Sequence, residues 1–111
     1  MEDDLVAWGR VVRIETRGRI SGRVARATVG FVERPDRSMV VAAGSPRADW
    51  ALNLIADPVC RVTLGGDSWT AIARELDVAE QAAAVRGLIL KYGTPAEGLG
   101  VGPAFELRPE G

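Results

Sequence analysis

The sequence predicts a mainly β (α+β) fold: six antiparallel strands closed into a small barrel, with two helices at its mouth. Three observations predict it. Six short segments alternate in polarity or run apolar, and Gly, Pro and Asp turn signals part them. Two further segments carry helical spacing with recognisable starts and stops. The 111 residues, 47% hydrophobic and 26% charged, suit one domain over residues 1–111 with one core, and argue against wholesale disorder.

The first strand is expected over Leu5 to Glu15, around Trp8, Val11, Val12 and Ile14, with Arg10 and Arg13 on a wet face. A turn follows from Gly18 to Gly22. From Val24 to Glu33 the pattern is a second strand. Ala25, Ala27, Val29 and Phe31 share one face, which puts Arg26 and Thr28 together on the other. Pro35-Asp36-Arg37 is a turn signal, and Ser38 to Ala43 a short buried strand. It runs into Gly44-Ser45-Pro46, where Ser45 reads as a helix N-cap and Pro46 as a first helical residue. Trp50 with Leu54, and Ala51 with Ile55, pair at i, i+4 along that helix. Asp57-Pro58 ends it, because the residue before proline is pushed out of the α region.

Val59 to Leu64 and Ser68 to Leu76 form the next pair of strands about Gly65-Gly66-Asp67. Asp77 and Glu80 have capping-box spacing, opening a helix to Tyr92 whose inner face is Val85, Leu88, Ile89 and Tyr92. A loop with Gly93, Gly98, Gly100 and Gly102 leads to a last strand, Ala104 to Arg108.

Composition narrows the chemistry. No histidine is present, which removes Ser-His-Asp and Cys-His catalysis and argues against a zinc site. Cys60 is the single cysteine; no intramolecular disulfide can form, and its apolar neighbours make it a core residue. The acidic Met1-Glu2-Asp3-Asp4 has the wrong charge for a signal peptide, and no apolar run reaches membrane-spanning length, so a cytoplasmic protein is expected. The net charge is -1, and the arginines lack interleaved aromatics, which argues against nucleic-acid binding. Six arginines nevertheless fall between Arg10 and Arg26, opposed only by Glu15. The stretch Thr16 to Thr28 holds four of them with two glycines. Arginine forks suit phosphate and carboxylate oxygens, and glycine lets backbone approach a ligand. Such a hairpin can clamp a small anion, although a solvated turn is the commoner use of this composition.

Two blocks of residues carry a resemblance. Thr16-x-Gly18-Arg19-x-Ser21-Gly22-x-x-x-Arg26-x-Thr28 is similar to the Gly-Arg-Lys-Ser-Gly segment of the deazaflavin-dependent nitroreductases, split-barrel oxidoreductases that use coenzyme F420. Val40 to Gly44, then Trp50-x-x-Asn53-Leu54-x-Ala56-Asp57-Pro58, resembles the same family's strand, glycine loop and helix, and the likeness spans roughly Ile14 to Leu76. The resemblance implies an F420-dependent reductase that passes a hydride to a quinone-like, nitro-aromatic or other electron-poor small molecule. It implies cofactor contacts from Gly18, Arg19, Ser21, Gly22, Arg23, Arg26 and Thr28 to phosphate and tail, and from Ala43, Gly44 and Ser45 along the ring. Trp50 and Asn53 would line the substrate pocket. Tyr92 is the one candidate proton donor, with sealing of its helix end as the plainer role. Ile20 stands where relatives usually carry Lys or Arg, which removes one tail contact, Val29 replaces a common proline, and Tyr92 is the only tyrosine. These departures leave room for FMN, haem or another planar ligand, and a non-catalytic carrier is the rival reading. Split barrels often pair, so a homodimer is the expectation.

Overall fold

In a computed structural model, Val6, residues 8–93 and residues 99–110 are described. Leu5, the acidic first residues and Gly98 lie outside them. Seven strands run in the order β1 (Val12–Arg17), β2 (Val24–Val29), β3 (Val32–Glu33), β4 (Met39–Ala42), β5 (Val59–Leu64), β6 (Asp67–Glu75) and β7 (Ala104–Pro109). Helix α1 (Asp49–Ala56) sits between β4 and β5, and α2 (Val78–Tyr92) between β6 and β7.

The strands form one curled antiparallel sheet in the order β2-β1-β5-β6-β7-β4-β3. Its edge strands, β2 and β3, are consecutive in the chain. From Val29 to Val32 an extended chain spans at most about 11 Å, so the two edges must approach each other there. The sheet is a half-barrel split at that seam.

The seam accounts for the difference between six expected strands and seven observed. The segment Val24 to Glu33 is not one strand, because it leaves one edge of the sheet and joins the other. Gly30 and Phe31 make the crossing. A Cβ on Gly30 would sit 2.9 Å from the Tyr92 ring, and Phe31 turns into the core. Strand β1 also starts later than Leu5, at Val12: Gly9, at φ +73°, closes a turn onto the Val6 carbonyl and leaves Trp8 exposed. The expected bounds of β4, β6 and β7 shift by one residue at their ends.

Pleat alternation sorts the core into two layers. Val12, Ile14, Val62, Ala71, Phe105 and Leu107 point into the barrel, where Ala51 and Leu54 of α1 meet them. Val40, Ala42 and Ala104 point the other way, against Ala84, Val85 and Leu88 of α2. Strand β4 is therefore buried on both faces, which is why its sequence runs apolar without alternation. The capping box of α2 forms as expected: Asp77 accepts from the Glu80 amide, and Glu80 accepts from the Asp77 amide. Ser45 does not cap α1. The helix starts three residues later than Pro46, with Ala48 at the cap and no side-chain cap, because residues 45–48 first make a turn of their own.

Candidate functional site

The β1–β2 hairpin builds its own turn. The Gly18 amide donates to the Arg23 carbonyl at 2.7 Å, and the Gly22 amide to the Gly18 carbonyl at 2.8 Å. Gly22 has φ +73°, which favours glycine there. A Cβ on Gly18 would lie 2.8 Å from Ser21 Oγ and 3.0 Å from the Arg23 carbonyl. Ser21 Oγ accepts from the Arg23 amide at 3.1 Å. Gly18, Ser21 and Gly22 are thus occupied in shaping the turn.

The arginines divide into distinct roles. Arg19 folds back onto α1. Its Nη1 donates to Asn53 Oδ1 at 2.8 Å, its backbone amide donates to the same oxygen at 3.2 Å, and its Nη2 pairs with Asp49 at 3.2 Å. Arg26 lies on the outer sheet face and pairs with Glu15, its cross-strand neighbour, at 3.3 Å. Thr28 shares that face, opposite Arg13. Arg23 is exposed, and its guanidinium has no partner among the described residues. Arg17 is likewise exposed at the end of β1, opposite Val24.

Asn53 joins the two sequence blocks. It is buried at 2% exposure, and its Nδ2 donates to Thr16 Oγ1 at 3.1 Å, while Thr16 is equally buried. Both Arg19 groups can only donate, so the amide oxygen must face them and the nitrogen must face Thr16. Asn53 therefore fastens the arginine turn to α1 and spends its polar atoms there. Trp50 is half-buried, with its ring 5.8 Å from that of Phe105, as a core wall.

Ala43, Gly44 and Ser45 lie at the exit of β4, just before α1. Ala43 is buried, and its amide donates to the Pro103 carbonyl at 2.9 Å. Gly44 is exposed, and a Cβ there would meet only the Leu99 side chain, at 3.7 Å. Ser45 is exposed, and its Oγ accepts from the Arg47 amide. Gly102 presses on this segment: a Cβ there would lie 2.6 Å from the Ser45 carbonyl oxygen and 2.7 Å from that of Ala43. Because Arg19 reaches Asp49 at the start of α1, the arginine turn and the residues leading into α1 flank the same helix end.

Tyr92 seals the seam. Its hydroxyl donates to the Arg10 carbonyl at 2.8 Å and accepts from the Phe31 amide at 3.0 Å, which engages it with backbone. Cys60 is buried in the core, and burial pushes its thiol up to about 11, out of nucleophilic range. Among the described residues no group of three His, Cys, Asp or Glu side chains could hold a metal ion, and no helix is long and apolar enough to cross a membrane.

Thr16, Asp49 and Gly102 are the residues the sequence reading missed. Alternation does place Thr16 among inward positions, where a polar residue asks for a partner. Asp49 and Gly102 carry no such signal, since their partners are far away in the chain. As a donor set, the unpaired guanidinium of Arg23 and the exposed ones of Arg17 and Arg26 fit an anionic group such as a phosphate or carboxylate.

Known proteins bear on this site. A family model described as F420H(2)-dependent quinone reductase matches residues 6–94. A search of curated proteins finds no match. Among solved structures, an F420-H2 dependent reductase, FDR-A, aligns at 24% identity and TM-score 0.75, covering 89% of this chain and 94% of its own. HutZ, a heme storage protein from Vibrio cholerae, aligns at 17% identity and TM-score 0.76, over 98% of this chain and 87% of its own. A structure described as a domain-swapped dimer aligns at 22% identity and TM-score 0.73, over 96% of this chain and 92% of its own. At these identities the structures share the fold.

Proposed function

The chain belongs to the F420H(2)-dependent quinone reductase family, and from that premise we propose that it is an F420-dependent oxidoreductase reducing a quinone-like, nitro-aromatic or other electron-poor small molecule. The observation that carries the reading is the bond from Arg19 to Asn53. It ties the arginine turn to α1, the helix into whose start at Asp49 the β4–α1 connection runs.

Arg23 and Arg26 would hold the anionic phosphate and tail, with the Gly18–Gly22 turn setting their positions. Arg19 acts through Asn53 and Asp49 as a strut, keeping the turn against α1. The exposed backbone at Gly44 and Ser45 would lie beside the ring, held there by Gly102 and the Pro103 carbonyl. When bound, the reduced deazaflavin supplies a hydride from its ring carbon. The protein's work is then to hold donor and acceptor in contact and to exclude water, which needs no acid–base triad. The absence of histidine and the committed hydroxyl of Tyr92 are both compatible with that division of labour. A homodimer fits the reading as well, since one structural neighbour is described as a domain-swapped dimer.

The test is a fluorescence titration of oxidised F420 with the purified protein, FMN in a parallel cell, followed by turnover of F420H2 with a panel of quinones and nitro-aromatics. Saturable F420 binding with turnover of at least one acceptor is expected. Tight FMN binding without F420 binding overturns the cofactor assignment, and F420 binding without turnover makes the protein a carrier. Sedimentation of the same sample reads the dimer.

A further inference from the structure

We propose that the outer face of β2-β1-β5-β6 docks the protein onto the surface of an anionic lipid bilayer. Helix α1 packs inside the barrel and α2 over β3, β4 and β7, so this face carries no helix. Four guanidiniums surround one carboxylate there. Arg26 and Arg61 oppose Glu15 on its two sides, and Arg13 and Arg17 stand two residues away along β1. Apart from Arg74, which Glu80 and Glu106 engage, these strands turn no other charge outward. Glu15 pairs with Arg26, while Arg17 and Arg61 have no hydrogen-bond or ion-pair partner among the described residues. The face is strongly positive on a chain whose net charge is -1.

The same face exposes aliphatic side chains, and register places them in one row. Val24 opposes Arg17, and Val59 opposes Ile72. Val59 lies two residues before Arg61, which sets it beside Arg17 on the outward side. Val24, Val59 and Ile72 are 67%, 47% and 38% exposed. Just beyond this row the hairpin turn carries Ile20, 90% exposed, and the last turn of α1 carries the exposed Ile55. Branched aliphatics thus collect at one end of the face. The row of Arg26 and Arg61 follows two residues behind them, about 7 Å away. The acids at this end are engaged: Asp49 pairs with Arg19, and Asp57 Oδ1 accepts from the Val59 amide.

Charge and apolar row together select the partner. Anionic headgroups complement the arginines, and aliphatic side chains gain by leaving water for the acyl boundary, where such surfaces sink about 5–10 Å. With the row at that depth, Arg26 and Arg61 reach the phosphates. A second copy pairing through this face would set guanidiniums against guanidiniums. A nucleic acid would find no aromatic side chain here to stack on. Arginines can simply keep a sheet soluble. Solubility does not call for Val24, Val59 and Ile72 in water among them.

The experiment floats the protein with phosphatidylcholine vesicles, and with vesicles in which one lipid in three is phosphatidylglycerol. Saturable binding to the anionic vesicles alone is expected, and added salt should weaken it. Arg26 is shared with the proposed cofactor clamp, so the variants are Arg61→Gln and Val24→Ser, which the clamp does not use. Each should weaken binding about fivefold, the effect of one guanidinium at an anionic surface or one valine kept in water. Ile20→Ser, at a 90% exposed position, replaces either variant if its melting midpoint falls. Equal binding to neutral vesicles overturns the proposal, as does no binding at all. An effect of Arg61→Gln with none of Val24→Ser, and equal affinity for polyglutamate, overturns it in favour of an acidic protein. Sedimentation without lipid in which both substitutions dissolve a dimer overturns it in favour of a second copy. The readout is binding, so it stands or falls apart from the reductase reading.

Discussion

Replacing Asn53 with alanine should cost far more than an ordinary helix substitution. The side chain is buried and makes three hydrogen bonds: from the Arg19 amide at 3.2 Å, from Arg19 Nη1 at 2.8 Å, and to Thr16 Oγ1 at 3.1 Å. Two neutral bonds at about 1 kcal/mol each and one charged bond at about 1.5–3 kcal/mol give an upper sum near 5 kcal/mol. Water can reach part of Arg19, whose side chain is 29% exposed, and recover some of that. The buried Thr16 hydroxyl has no such recourse. A loss of about 2–4 kcal/mol results, a large share of the roughly 5–15 kcal/mol that holds a domain together. At about 4 °C per kcal/mol, the melting midpoint should fall by about 8–16 °C. Urea unfolding of the parent, Asn53→Ala, Thr16→Val and the double variant measures it. The two substitutions share a bond, so their costs should fail to add by at least about 0.5 kcal/mol. A loss below about 0.5 kcal/mol, or strict additivity, would refute the lock.

Other outcomes follow from the same contacts. On the proposed function, Arg23→Ala should lower F420 affinity by about one to two decades with an unchanged melting midpoint, since it removes a charge-assisted contact and no internal one; Arg19→Ala should lower both, and titration beside thermal melts separates the two. Gly102→Ala should destabilise by about 1–3 kcal/mol in urea, because its Cβ would overlap the backbone oxygens of residues 43 and 45, which cannot move away as a side-chain tip could. Hydrogen bonds from the Arg74 guanidinium, joined by the Asp77 amide, hold the Glu80 carboxyl down at about 2, against an ordinary value of 4.5. The lowered carboxyl contributes stability that is complete above pH 4.5 and lost as pH falls toward 2. The stability gap between parent and Glu80→Gln should therefore close over that window in urea midpoints taken from pH 6 to 2.

Elements whose signals are local were legible in the sequence. Asp77 and Glu80 predict their capping box because both partners lie within one helical turn. Gly65-Gly66 and Asp57-Pro58 punctuate the chain for reasons of backbone geometry alone, and β5 matches its expected span. What escaped depends on distant partners. Nothing between Val24 and Glu33 announces that the chain must cross from one sheet edge to the other, because the crossing is dictated by closure and by Tyr92, 61 residues on from Phe31. Ser45-Pro46 has helix-start chemistry, yet the helix waits for Asp49, where Arg19 sits 30 residues away in sequence. At the site, residue types were readable and their duties were not. Four arginines in one stretch suggest one clamp. Asp49 and Asn53 then occupy Arg19, Glu15 takes only the Nε of the exposed Arg26, and no periodicity could have shown which.

The arginine hairpin is also held at a second place, and this bears on how an anion would be bound. At the turn, Asn53 and Asp49 fix Arg19. Past the end of β2, Tyr92 bonds to the Phe31 amide, and Lys91 donates to the Phe31 carbonyl at 2.7 Å while its ammonium lies 3.5 Å from the Phe31 ring centroid. The chain's single lysine is thus placed on the seam rather than in the clamp. Strand β2 is an edge with one hydrogen-bonded neighbour, β1, so its outer face would otherwise be free to fray. Pinned near both ends, it presents Arg23 and Arg26 from a fixed backbone, and binding need order only side chains. Each immobilised long side chain costs about 0.5–1.5 kcal/mol, whereas ordering a loose hairpin adds about 1–2 kcal/mol for every backbone residue fixed. For a turn of five or six residues that difference exceeds what one guanidinium contact returns. The lock at Asn53 and the seam at Tyr92 are therefore the features on which an anion clamp at this hairpin depends most.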